Sequence, residues 1–169
     1  RAAKGGNLND VIASAKNVVN RTKSICVGLE PCVIPALGHS NFKIEDGTME
    51  FGVGHHGEAG TKVEELKSAS EIAQEMAETI LNDFDFEEGK EVAVMLSGLG
   101  ATPVMELYVL YDEVEKVLAK AGHKVWKTYI GNYVTSLDMN GASLTIVDLD
   151  DEVKELLSEP AAPIGMKNY

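Results

Sequence analysis

Apolar residues recur along this chain at helical spacing in some stretches and at alternate positions in others. Leu8, Val11, Ile12, Ala15, Val18 and Val19 fall on one helical face, so residues 7–24 read as a helix. Asn7 and Asp10 form a capping-box-like pair at its start. Residues 25–29 make a short apolar strand, and 30–47, which contain Pro31 and Pro35, a loop with little periodicity. Met49, Phe51 and Val53 alternate, predicting a strand over 48–54. Leu66, Ala69, Ile72, Ala73, Met76 and Ile80 line one face of a helix over 64–82, and an acidic connection follows at 84–89. Residues 91–96 are almost continuously apolar, the pattern of a strand covered on both faces. Thr102 is a good N-cap and Pro103 a good first helical residue. The predicted helix runs to Ala121, with Val104, Leu107, Tyr108, Tyr111, Val114 and Leu118 inward, and Gly122 stops it. Residues 124–130 are a strand with Val125 and Ile130 inward, 131–140 a polar turn-rich segment and 142–149 an alternating strand. A short helix over 152–157 and an aperiodic tail over 160–169 complete the chain.

The order is α, β, β, α, β, α, β, β, α, which is an α/β domain with a mixed sheet. Loops cluster at the C-terminal ends of strands, where open α/β sheets place their ligands. The length of 169 residues suits a single domain. A 44% hydrophobic content excludes a disordered acidic tail, and no apolar run is long enough to span a bilayer. A net charge of −12 argues against nucleic acid, whose binding needs a basic footprint. Cys26 and Cys32 are too few for a disulfide framework and read as cytoplasmic thiols; no zinc-type spacing is present. Arg1 does not look like a natural start, so the chain reads as a piece of something longer.

Three segments carry candidate chemistry. The first follows the strand over 48–54, where His55 and His56 sit among Gly52, Gly54, Gly57 and Gly60 with Glu58 nearby. Glycines let the backbone approach a ligand closely, and a histidine there serves as base, nucleophile or metal ligand. Neighbouring strand residues face opposite ways, so the pair is poorly placed to share one ion. The competing reading makes one histidine structural and the other merely solvent-exposed. The second segment, residues 98–103, superficially resembles a dinucleotide fingerprint but has Pro103 at the third position. It reads better as a tight turn starting a helix. The third, residues 131–138, lines a polar pocket or forms a hydrogen-bonded turn or subunit contact. Glu71, Glu75 and Glu78 are a solvated helix face, and Cys32 has no base at a telling spacing.

The run from Met49 through His55-His56-Gly57-Glu58-Ala59-Gly60 resembles the G-x-G-I-H-G-E-P-G signature of the dihydroxyacetone-binding subunit of dihydroxyacetone kinases. Residues 28–38 (GLEPCVIPALG), 98–108 (GLGATPVMELY) and 131–139 (GNYVTSLDM) are similar to three further blocks of that family. The resemblance covers the second half of a family member. It implies a two-layer second domain with a mixed sheet of about six strands, helices mainly on one face, in a fold shared with DegV-like proteins. It also implies that His56 bonds covalently to the ketone as a hemiaminal, with Gly57 and Glu58 shaping the loop. The phosphoryl donor, ATP or an ADP-carrying partner subunit, is then held elsewhere, and the general base lies in an upstream domain. No metal or cofactor is expected on this chain, which alone would transfer little phosphate. A cytoplasmic homodimer served by a nucleotide-binding partner is the implied assembly. His55, Ala59 and Ser97 stand where the family usually has Ile, Pro and Asn. Relatives that sense the ketone and co-activate transcription share the histidine, and an apolar-ligand carrier is a more distant alternative.

Overall fold

The computed structural model describes residues 1–40, 42–56, 58–83 and 89–166. Six strands make up one sheet: β1 (Thr22–Glu30), β2 (Thr48–Phe51), β3 (Lys62–Glu65), β4 (Glu91–Gly98), β5 (Lys124–Gly131) and β6 (Asn140–Asp148). Their order across the sheet is β3-β2-β1-β6-β4-β5. β4 and β5 pair in parallel, and the other neighbours are antiparallel. Four α-helices flank them: α1 (Leu8–Asn20), α2 (Ala69–Asn82), α3 (Val104–Lys120) and α4 (Asp151–Ser158).

The two long helices cover one face. Ile72, Ala73, Met76 and Ile80 of α2, with Leu107, Val114 and Leu118 of α3, pack on Val27, Val92, Val94, Leu96, Leu144 and Ile146. The apolar run of β4 is thereby explained, since it lies between β6 and β5 under α3. The shorter helices lie over part of the other face, where Val18, Val153 and Leu157 meet Ala93, Trp126 and Val147. Arg21 joins them to the sheet through Asp148 at 2.7 Å and Asp150 at 2.9 Å.

Several boundaries differ from the periodicity. The helix expected over 7–24 stops at Asn20, because residues 22–30 pair with β6 from Thr22↔Val147 onward. The capping box of Asn7 and Asp10 forms as expected. The strand expected over 48–54 ends at Phe51, where Gly52 turns the backbone to φ 79°. The helix expected over 64–82 divides: Lys62–Glu65 is edge strand β3, and Ser68 caps a helix that begins at Ala69. Ser68 and Glu71 form a reciprocal capping box, which fixes the start more firmly than the helix-forming Glu64, Glu65 and Lys67 extend it. The charged β3 completes the six strands, and charge on an edge strand discourages edge-to-edge pairing. Pro103, not Thr102, caps α3, because the Thr102 hydroxyl is spent on Gly141 of β6. Val104 and Tyr108 face outward rather than inward, at 43% and 57% exposure. Residues 84–88 of the acidic connection over 84–89, and residues 167–169, lie outside the described residues.

Candidate functional site

The site is built where β2 ends. Gly52 N–H donates to the Cys26 carbonyl at 2.7 Å, which turns the chain over the end of β1. Val53 is buried beside Cys26, Cys32, Leu99 and Met139. Gly54 N–H then donates to the Glu58 carbonyl at 2.9 Å and closes a tight loop. No side chain fits at Gly54, since a β-carbon there would stand 2.7 Å from Glu58 Cβ. Gly57 lies outside the described residues, so its expected part in the loop is not described.

Within this loop the two histidines part company. They stand in a turn rather than on a strand. His55 turns inward, with Nδ1 3.9 Å from Cys26 Sγ and with its carbonyl accepting from Ser136 Oγ at 2.8 Å. Its Nε2 is buried without a partner among the described residues. His56 turns outward, its side chain 88% exposed. Glu58 holds it from below: Oε2 accepts from His56 N–H at 3.0 Å, and Oε1 lies 3.5 Å from His56 Nδ1. Backbone N–H groups, that of Glu58 first and that of His56 next, hold the Glu58 carboxyl below its ordinary range. Glu58 is therefore a carboxylate at neutral pH and orients the imidazole as an acceptor. Burial pushes the Cys26 thiol up to about 11, so it is a neutral neighbour of His55 and not a nucleophile.

Both histidines line a cavity of about 320 Å³. Cys32, Ile34 and Phe42 form one wall and residues 135–137 another. The segment 131–138 therefore does line a pocket, and it is hydrogen-bonded as well. Residues 98–103 are a packed turn. Leu99 is buried, Ala101 N–H donates to the Met139 carbonyl, and a β-carbon at Gly100 would strike the Leu137 carbonyl. A second cavity, about 260 Å³, lies between α2, α3 and β1 and is lined mainly by apolar side chains such as Leu29, Leu66, Leu107 and Val109. Among the described residues, no three His, Cys, Asp or Glu side chains cluster to hold a metal ion. No described helix is long and apolar enough to cross a membrane.

Sequence reasoning picked out His56 and Glu58 together, and the segment 131–138, but missed the bond that ties that segment to the Cys32 loop, in which Asp138 Oδ1 accepts from Val33 N–H at 2.7 Å. It also missed the contact of Cys26 with His55. Both links join residues far apart in sequence, and no local pattern announces them.

Comparison with known proteins places these observations in a family. Residues 1–164 match the Dak1 domain. The chain is 39% identical over 151 residues to the PTS-dependent dihydroxyacetone kinase 1, dihydroxyacetone-binding subunit DhaK, of Listeria innocua serovar 6a. That alignment takes in 89% of this chain and 46% of the relative, so the chain spans about half of it. The solved structure of the dihydroxyacetone kinase operon co-activator Dha-DhaQ is similar with a TM-score of 0.86 and 28% identity, over 93% of this chain and 49% of that one. The dihydroxyacetone kinase of C. freundii is similar with a TM-score of 0.83 and 27% identity, over 92% of this chain and 28% of that one.

Proposed function

The chain belongs to the Dak1 domain family, and from that premise we propose that it is the ketone-anchoring part of a dihydroxyacetone kinase, with His56 as the covalent anchor. One observation carries the reading: an exposed imidazole at the lip of a cavity, held by a carboxylate at one ring nitrogen. With the proton on Nδ1, facing Glu58, the Nε2 lone pair is available to add to the ketone carbon. The carbonyl π pair moves to oxygen, which takes up a proton from solvent, and Nδ1 gives up its own. The product is a neutral hemiaminal with both substrate hydroxyls intact. Only an aldehyde or ketone can react in this way. The bond thus rejects glycerol, a polyol of similar size, more sharply than hydrogen bonds alone would.

The substrate hydroxyl left free would receive phosphate from a donor held by a nucleotide-binding partner subunit or domain. The assembly would be a cytoplasmic homodimer, and its general base would come from outside this chain. The Listeria relative is named as a dihydroxyacetone-binding subunit of a kinase, which supports the substrate. Carbon NMR with dihydroxyacetone labelled at the carbonyl tests the anchor in the full-length protein that carries this chain. His56→Ala should abolish the adduct and His55→Ala should keep it. An adduct surviving His56→Ala would overturn the assignment.

A second reading is favoured by the likeness to the co-activator: the same anchor would report the ketone to a transcriptional regulator without catalysis. Phosphate transfer, assayed with ATP and with an ADP-carrying partner subunit, separates the two. The 169-residue chain alone should show little transfer by either route.

A further inference from the structure

We propose that the segment joining β5 to β6 sets the geometry of the ketone site, with Ser136 and Asp138 as positioning residues for His56. The inference rests on the covalent reading above. Residues 135–137 line the cavity beside two other loops far apart in sequence, the one with His55 and His56 and the one with Cys32 and Ile34, and this one segment holds both loops. Ser136 Oγ donates to the His55 carbonyl at 2.8 Å and so fixes the peptide that leads into His56. Two residues on, Asp138 Oδ1 accepts from Val33 N–H at 2.7 Å and fixes the loop that carries Cys32 and Ile34.

The segment is itself anchored to the centre of the sheet. Ser136 N–H donates to the Leu99 carbonyl at 2.7 Å, and Met139 N–H donates to the Ser136 carbonyl at 3.0 Å. Ser97, buried at the end of β4, accepts from Tyr133 N–H at 2.9 Å and from Val134 N–H at 3.1 Å. Between the two anchors lies Leu137, with φ 53°, the one described non-glycine residue with positive φ. Such a conformation costs energy and persists where its surroundings impose it. Here the hydrogen bonds on either side impose it, at the wall of the cavity that both histidines line.

The chemistry makes this geometry matter. Addition to a carbonyl needs the nitrogen and carbon close and aligned, and a misplacement near 1 Å costs about a hundredfold. Glu58 steadies His56 from within its own loop, at the backbone N–H and beside Nδ1 of the ring. It cannot fix that loop against the opposite wall, and Ser136 and Asp138 do.

The test uses the full-length protein that carries this chain. Adduct formation with carbonyl-labelled dihydroxyacetone is measured for wild type, Ser136→Ala, Ser136→Thr, Asp138→Ala and His56→Ala. Imidazole ¹⁵N spectra are recorded alongside, with the His39 and His123 signals as reporters of the fold. Ser136→Ala and Asp138→Ala should each weaken the adduct by about tenfold. The His56 signal should broaden or shift while those of His39 and His123 stay, and Ser136→Thr, which keeps the hydroxyl, should recover most of the affinity. Wild-type adduct affinity in either alanine variant, or no recovery in Ser136→Thr, overturns the proposal. Should Ser136→Ala disturb the His39 and His123 signals as well, Asp138→Ala and Ser136→Thr decide by the same criteria. An adduct that persists in His56→Ala is a different failure, that of the covalent reading itself.

Discussion

Gly54→Ala probes the loop with a single methyl group. Nothing in the backbone forbids the change, because Gly54 does not hold a positive φ. The obstacle is steric. The new β-carbon would stand 2.7 Å from Glu58 Cβ and nearer still to the Glu58 carboxylate. The carboxylate can swing aside, but Glu58 Cβ moves only with its backbone. The bond from Gly54 N–H to the Glu58 carbonyl must then lengthen, and the Glu58 oxygens leave His56 N–H and Nδ1. Loss of that backbone bond costs about 0.5–1.5 kcal/mol, partly recovered by water at this exposed site. For a domain of this size the melting temperature should therefore fall by no more than about 4 °C. The adduct should suffer far more, because His56 loses its orientation: affinity for dihydroxyacetone should drop by about tenfold or more. The assay pairs calorimetry with carbon NMR titration of the labelled ketone. Gly165→Ala, with open space around its β-carbon, is the control. Because the clash is with the Glu58 side chain from its β-carbon outward, Gly54→Ala combined with Glu58→Gly should be no worse than Glu58→Gly alone. Wild-type adduct formation by Gly54→Ala would refute the reasoning, as would strict additivity in the double variant.

Three further perturbations address the scaffold. The Cys26 thiol is raised by burial to about 11 from an ordinary 9.0, so in the window between them the unfolded chain releases the proton and the folded one keeps it. Stability should thus fall as pH rises from about 9 to 11, and Cys26→Ser should flatten that decline in denaturant titrations. Thr102→Val removes a buried hydroxyl that lies 2.6 Å from the Gly141 carbonyl and accepts from Gly141 N–H at 2.8 Å. The loss should be about 1–3 kcal/mol, read as a shifted urea midpoint with an unchanged slope. Ser68→Ala removes the N-cap of α2 and should cost about 1 kcal/mol, or 2–4 °C in melting temperature, with adduct formation unaffected.

The parts of the fold that were legible in the sequence are those whose pattern and packing agree. α2 shows this best: Ile72, Ala73, Met76 and Ile80 recur at helical spacing and all are buried against the sheet. β4 is another case, its apolar run matched by cover on both sides. The helix–strand boundaries failed where two tendencies compete. Residues 22–24 continue the helical pattern of α1, yet a nine-residue strand with a full register against β6 outweighs one more helical turn. Lys62–Glu65 has the composition of an exposed helix and becomes an edge strand because β2 offers it a partner. Tyr108 and Val104 follow the inward stripe of α3 in spacing but lie at its margin.

The candidate site divides along the same physical line. His56, Glu58 and the glycines around them lie within a few residues of one another, so the local pattern exposes them. What distinguishes His56 from His55 is not local. His55 is taken up by Cys26 from β1 and by Ser136 from the far side of the cavity, 81 residues away. An isoleucine, which the family usually has there, would fill the same space without a ring nitrogen to satisfy. The histidine in this chain leaves Nε2 buried and without a partner among the described residues, a cost that apolar replacement removes. His55→Ile should consequently raise the melting temperature by a few degrees, since the position lies within the cavity wall and the transfer of an aliphatic side chain there is favourable. Adduct formation should be retained, because the anchoring bond runs from Ser136 to the backbone carbonyl of residue 55 and not to its ring. A loss of the adduct in His55→Ile would show that the inward ring itself takes part in holding the ketone, and would move the site's boundary inward by one residue.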